Sequence, residues 1–150
     1  MLLAGDVGGT KTLLGLFERA PRRPVPLDLR AYPTSEFSSF TEILQTFTRD
    51  AKPSTIEAVA VGVAGPVVNQ RANLTNVGFV ISAQEITAWR GAIRATLLND
   101  LEAMANSVDV LMPDELVELQ PGVARPDGNA VIIAAGLCVR SEPRATAKRG

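Results

Sequence analysis

A chain of 150 residues, 46% hydrophobic with net charge −1, can bury one core, and its charge gives no global case for nucleic acid or an anionic membrane. No apolar run approaches the roughly 18 residues that span a bilayer, and no basic segment precedes the first apolar run, so a cytoplasmic domain is expected. A single cysteine, Cys138, excludes an internal disulfide, and the lack of histidine excludes Ser-His-Asp or Cys-His catalysis and His-bearing zinc sites, leaving Asp, Glu, Lys or Tyr as proton acceptors.

Leu2–Asp6 and Lys11–Glu18 read as a hairpin, and a Pro-rich connection at residues 21–26 leads to a third strand over Leu27–Tyr32. Phe37, Phe40, Ile43, Leu44 and Phe47 keep helical spacing, which predicts an amphipathic helix over Glu36–Asp50, closed before Pro53, its stripe serving the core. Ile56–Val63 reads as a strand buried on much of both faces, ended by Ala64-Gly65-Pro66 and a loop region through Asn76. Ser82-Ala-Gln-Glu85, with Ile81 and Ile86 placed as a staple, predicts a helix over Ala83–Arg90. Ala95–Leu98 is a short strand that stops at Asn99-Asp100, and Leu101, Met104, Ala105 and Val108 stripe the next helix. Leu116–Leu119 and Ala130–Ala135 are read as further strands, and the whole as an α/β layer in which an antiparallel meander feeds parallel strands.

The chemistry concentrates in Gly5-Asp6-Val7-Gly8-Gly9-Thr10-Lys11-Thr12, a tight turn between two apolar runs. Glycines allow positive φ and close approach of a ligand, and successive N–H groups make an anion site. Asp6 repels a phosphate but suits a hydrated Mg²⁺ that bridges phosphates. Two other readings stand beside this one: a P-loop, for which Thr10 occupies the second Gly position and Thr12–Phe17 is too strand-like, and a hairpin turn with no ligand. Asn99-Asp100 forms the second cluster. At a strand end it could bind a substrate hydroxyl and accept its proton, or Asp100 could merely cap the following helix. Glu102, third in that turn, is expected to face solvent or the helix dipole. Together the clusters suggest phosphoryl transfer, which relies on positioning, charge stabilisation and one base.

Residues Leu3–Thr12, Val61-Gly-Val-Ala-Gly-Pro-Val, Leu74-Thr-Asn76, Leu97–Ala105 and Val131-Ile-Ile-Ala-Ala-Gly136, in that order, resemble the bacterial glucokinase family. The resemblance implies a ribonuclease H-like lobe of the actin-like ATPase superfamily, a mixed five-stranded sheet with flanking helices. It implies ATP-dependent phosphorylation of the glucose 6-hydroxyl. Asp100 would be the base, Asn99, Asn76 and Thr75 the sugar-side residues, and Asp6, Val7, Gly8, Gly9, Thr10 and Lys11 the phosphate turn, with Asp6 reaching Mg²⁺ through water. Phe79 is the nearest candidate for the aromatic residue that the family carries near the sugar, and a homodimer is compatible with the full-length family.

The resemblance stops near Gly136, where the family continues into a second phosphate loop and a second lobe. The expected division is 1–129 as the amino-terminal lobe, 130–136 as the first strand of a truncated second lobe, and 137–150 as a basic, disordered tail outside the family. A truncated or frame-shifted glucokinase of little or no activity is the expectation. The alternative is a non-catalytic nucleotide- or sugar-binding regulator on the same fold.

Overall fold

The computed structural model describes residues 1–90, 94–123 and 131–134. The hairpin forms as read: β1 (Leu2–Val7) pairs antiparallel with β2 (Lys11–Glu18), in register from Leu2↔Phe17 to Val7↔Thr12. β3 (Val25–Pro33) extends it on the other side of β2. Strand alternation sorts the side chains: Leu3, Val7, Thr12, Leu14 and Leu16 are buried on one face. Asp6, Lys11 and Leu13 stand exposed on the other.

β4 (Ala58–Val63) and β8 (Arg94–Asn99) complete a five-stranded mixed sheet of order β3-β2-β1-β4-β8, in which β1, β4 and β8 are parallel. Val59, Val61, Val63 and Leu97 join the buried face. α1 (Phe40–Ala51) adds Phe40, Ile43, Leu44 and Phe47 to the same core. This helix begins four residues later than its hydrophobic stripe suggests. Thr34–Glu36 makes a single 3₁₀ turn, and Phe37 packs edge-on against Tyr32 at 5.8 Å between ring centroids. The start is set by Ser39, whose hydroxyl accepts from the Glu42 N–H at 3.2 Å, while the Glu42 carboxylate accepts from the Ser38 N–H at 2.8 Å.

The stretch read as a loop through Asn76 contains a second, three-stranded antiparallel sheet: β5 (Val67–Val68), β6 (Arg71–Leu74) and β7 (Phe79–Ser82). Asn69 and Gln70 both take positive φ, 51° and 57°, the conformation that a two-residue hairpin turn requires. Gln70 then reaches the large sheet. Its Oε1 accepts from the Leu97 N–H at 2.8 Å and its Nε2 donates to the Leu97 carbonyl at 3.4 Å, so a side chain covers the outer edge of β8. α2 (Ala83–Arg90) follows β7 directly and packs on β7 and β8.

α3 (Asp100–Ser107) lies on the opposite face of the sheet from the core. A side chain on Gly62 would place its Cβ 3.4 Å from the Ala103 Cβ, so the glycine lets the helix sit close on β4. None of the residues of α3 is buried. The outer face of β1–β3 also holds a groove of about 430 Å³, lined mainly by apolar side chains such as Leu13, Phe17 and Leu29, with Asp6 at one end.

Neither of two further predicted strands is seen among the described residues. Pro113–Glu115 is a 3₁₀ turn, tied to the β2–β3 connection by Arg23–Glu115 at 2.7 Å, and Leu116–Leu119 has no partner strand among the described residues. Of Ala130–Ala135, the described part Val131–Ala134 is irregular, and the remainder, like Gly136, Cys138 and the 137–150 tail, lies outside the described residues. The early apolar strands pair with one another, whereas the described parts of these late segments have no neighbour among the described residues to complete a ladder. No helix among the described residues is long and apolar enough to cross a membrane.

Candidate active site

The three parallel strands end at one level. Val7, Val63 and Asn99 are register partners across β1, β4 and β8, and the residues before them, Asp6, Gly62 and Leu98, share the face on which α3 lies. The glycine turn therefore leaves β1, and Asp100 leaves β8, at the same edge and on the same side of the sheet. Hydrogen bonds lace the tips together. Ala64 N–H donates to the Val7 carbonyl at 3.1 Å, and Asn99 Nδ2 donates to the Gly65 carbonyl at 3.0 Å.

The turn itself is a hairpin connection closed by Gly8 N–H to the Lys11 carbonyl at 3.0 Å, and β2 rather than a helix follows it. That excludes the P-loop reading, because a P-loop must deliver its amides at a helix start. Gly5, Gly8 and Gly9 do not use positive φ as the sequence suggests. Their small size serves close approach instead: a Cβ on Gly9 would run into the Asn76 side-chain amide, and one on Gly8 would lie 3.1 Å from the Lys11 carbonyl. The N–H groups of Gly9 and Thr10 meet no acceptor among the described residues, so the turn presents donors.

Asn76 thereby touches the turn from the β6–β7 connection, where Gly78 at φ 73° makes the bend; Thr75 is exposed beside it. Phe79 does not fit the sugar-side role suggested for it. At 2% exposure it belongs to the core, because it opens β7 on that strand's buried face.

Asn99, not Asp100, caps α3: its Oδ1 accepts from the Leu101 N–H at 3.0 Å. With Nδ2 on Gly65, each end of this amide is fixed, yet one N–H and one lone pair remain beyond those bonds. Asp100 is the first residue of the helix, exposed, with Oδ1 2.9 Å from the same Leu101 N–H. Glu102 is half-buried in the first turn.

The electrostatics agree with the topology. Packing removes water from the Asp6 carboxyl and raises its pKa above the ordinary value; the negative charge of Asp100 raises it further, and Lys11 pulls it back. Two carboxylates and one ammonium thus share the strand edge. Among the described residues no group of three acidic or cysteine side chains could hold a metal unaided. Asp6 can offer a divalent ion a single carboxylate beside the amide-lined turn, which suits an ion arriving on a phosphate and retaining its waters.

Thr34 is the structural residue that sequence reading overlooked. Fully buried after β3, it donates its N–H to the Thr10 carbonyl at 3.0 Å and its hydroxyl to the Gly8 carbonyl at 2.9 Å. Nothing in Tyr32-Pro-Thr34 marks it, since its partners lie more than twenty residues away.

The comparisons with known proteins fit this geometry. A family model described as Glucokinase matches residues 3–139. The glucokinase of Nostoc punctiforme is 31% identical over 137 residues, covering 91% of this chain and 40% of that protein. The glucokinase of Synechocystis sp. is 31% identical over 144 residues, covering 89% and 41%. The chain thus spans about 40% of the length of these relatives. Among solved structures, glucokinase from an Antarctic psychrotroph superposes with a TM-score of 0.77 at 22% identity, over 84% of this chain and 40% of that one, a likeness of fold. The match runs through the glycine turn, the Asn76 loop and the Asn99-Asp100 helix start: the chain belongs to the glucokinase family.

Proposed function

We propose that residues 1–129 are the amino-terminal lobe of an ATP-dependent glucose kinase, with the glycine turn as phosphate site and Asp100 as general base. The observation that carries this reading is the alignment of Val7, Val63 and Asn99, which puts Asp6 and Asp100 on one edge and one face. In this reading residues 130–136 would lead into a second lobe, and the remainder of the tail has no part in the site.

The amides of Gly9, Thr10 and Lys11 would receive phosphate oxygens of ATP, and the Lys11 side chain would add a positive charge that follows the developing negative one. Asp6 fits a water-mediated contact to Mg²⁺, which when bound neutralises phosphate charge. Asn99 would use its remaining N–H and lone pair on sugar hydroxyls. Asn76 and Thr75 would approach the sugar from the β6–β7 connection. Asp100 would accept the proton of the 6-hydroxyl as that oxygen bonds to the γ-phosphorus; the bond from phosphorus to the β–γ bridging oxygen breaks, and its electron pair leaves with ADP.

Asp100 is testable in a chimera that supplies the carboxyl-terminal part of the Nostoc punctiforme glucokinase after residue 136. Asp100→Asn should lower kcat about a hundredfold to ten-thousandfold, the usual contribution of a general base, with glucose affinity held within about threefold. Turnover within tenfold of the unsubstituted chimera refutes the assignment.

A further inference from the structure

We propose that Thr34 is a positioning residue for the phosphate turn: it sets which way the peptide planes of the turn face, and so makes the turn an anion site. The proposal rests on the phosphate reading above and adds the residue that orients the donors.

The hydrogen bonds determine the directions. The Thr34 hydroxyl lies 2.9 Å from the Gly8 carbonyl, a half-buried contact, and 2.9 Å from the Thr12 hydroxyl, a buried one. A hydroxyl has one proton to give. A carbonyl can only accept, so Thr34 donates to Gly8, and Thr12 must donate to Thr34. The chain of bonds therefore runs Thr12 to Thr34 to Gly8, with one sense. The backbone of Thr34 makes a second hold on the same turn, its N–H on the Thr10 carbonyl at 3.0 Å.

Both held groups are carbonyls, two residues apart. In a planar trans peptide the carbonyl and the following N–H point in opposite directions, and no peptide bond among the described residues is cis. Drawing the Gly8 carbonyl toward Thr34 turns the Gly9 N–H away from it. Drawing the Thr10 carbonyl the same way turns the Lys11 N–H away too. One buried residue thus aims two amides to the same side, with no side chain on Gly8 or Gly9 to obstruct them. A glycine pair left alone would sample other peptide orientations, because nothing local restricts it. A carbonyl flipped outward would meet a phosphate with like partial charge.

The contact with Thr12 gives the arrangement a reason to persist without ligand. Thr12 and Thr34 are buried completely, and each satisfies the other's hydroxyl. Pro33 lends stiffness: its ring fixes φ at −64° just before Thr34 and so removes one backbone freedom from the approach to the turn.

The test uses the 150-residue chain and ¹⁵N–¹H spectra, with Mg·ATP as the probe. Thr34→Ser keeps the hydroxyl and Thr34→Ala removes it, at nearly equal size. Thr48→Ala is the matched control, since Thr48 is also buried and gives its hydroxyl to the Leu44 carbonyl, far along the chain in α1. Wild type and Thr34→Ser should show the same saturating shifts at Gly9 and Lys11. Thr34→Ala should bind about tenfold or more weakly, and Thr48→Ala should bind as wild type does. Equal affinity and equal Gly9 and Lys11 shifts in Thr34→Ala overturn the positioning role while leaving the phosphate site intact. Absence of shifts at the turn in wild type overturns the phosphate reading itself, and the proposal with it. If Thr34→Ala does not fold, the comparison passes to Thr34→Val, which fills the methyl volume without a hydroxyl. Affinity in Thr34→Val equal to that in Thr34→Ser has the same overturning force.

Discussion

At the scale of single residues, the charge of Asp100 reaches the carboxyl of Asp6. Asp6 stands exposed at the sheet edge, yet the strands around its carboxyl and the charge of Asp100 raise its pKa, against the pull of Lys11. Carbon-detected titration should therefore find Asp6 raised above the ordinary aspartate value, shifted down in Asp100→Asn and up in Lys11→Met. A curve for Asp6 that ignores Asp100→Asn would mean that the two groups do not share an edge. The sign for stability follows. With its native pKa raised, Asp6 holds its proton more tightly folded than unfolded, so stability falls as pH rises through the window between the two values. Asp6→Asn removes that penalty: the variant should melt slightly higher than wild type at pH 7, and the gain should vanish below both values, near pH 3. The gain is small because water screens an exposed carboxyl.

At the scale of elements, the best test lies in α1, where sequence and structure agree on identity and differ at the ends. Lys52 closes the helix at φ 48°, its N–H on the Thr48 carbonyl at 3.0 Å, a left-handed position where a Cβ is unfavourable. Lys52→Gly should raise stability by about 0.5–1 kcal/mol, and Ser39→Ala should lower it by about 1 kcal/mol through the lost cap, both read from urea midpoints at unchanged m. The same helix shows what the sequence made legible. Phe40, Ile43, Leu44 and Phe47 announce the buried stripe through a period that belongs to the helix alone. Phe37 lengthens the apparent stripe because apolar spacing cannot distinguish a helical contact from the Tyr32–Phe37 ring pair. The β5–β7 sheet escaped for a different reason. Its strands are two to four residues long, too short for alternation to show, and its first turn uses Gln70 at positive φ, where glycine would have marked the hairpin. Asp6 and Asn99-Asp100 were visible because polar residues interrupt apolar strands there. Thr34 was not, since its role comes from contacts that only the fold creates.

At the scale of the whole molecule, the described residues build one wall of a crevice. The glycine-turn amides, both carboxylates and the Asn76 side chain lie at the tips of β1, β8 and the β6–β7 connection, and among the described residues no element faces them from across that edge. Phosphoryl transfer to an alcohol needs the acceptor oxygen, phosphorus and leaving oxygen held nearly in line, and water kept from competing for the phosphoryl group. One wall can bind without achieving either. In relatives of which this chain spans about 40%, the remaining length is available to supply the opposite wall. Binding and turnover should therefore separate in this chain. Mg·ATP and glucose should perturb the Asp6–Lys11 turn and the Asn99-Asp100 helix start, respectively, while a coupled assay for ADP shows no glucose-dependent rate above the blank. Enzyme-like turnover, on the order of 1 s⁻¹ or faster, would mean that a single lobe can align and shield the reaction. Turnover that appears only in the chimera carrying a family second lobe would assign alignment and shielding of the reaction to closure of the crevice, and would leave the proposed base at position 100 to be read from Asp100→Asn in that chimera.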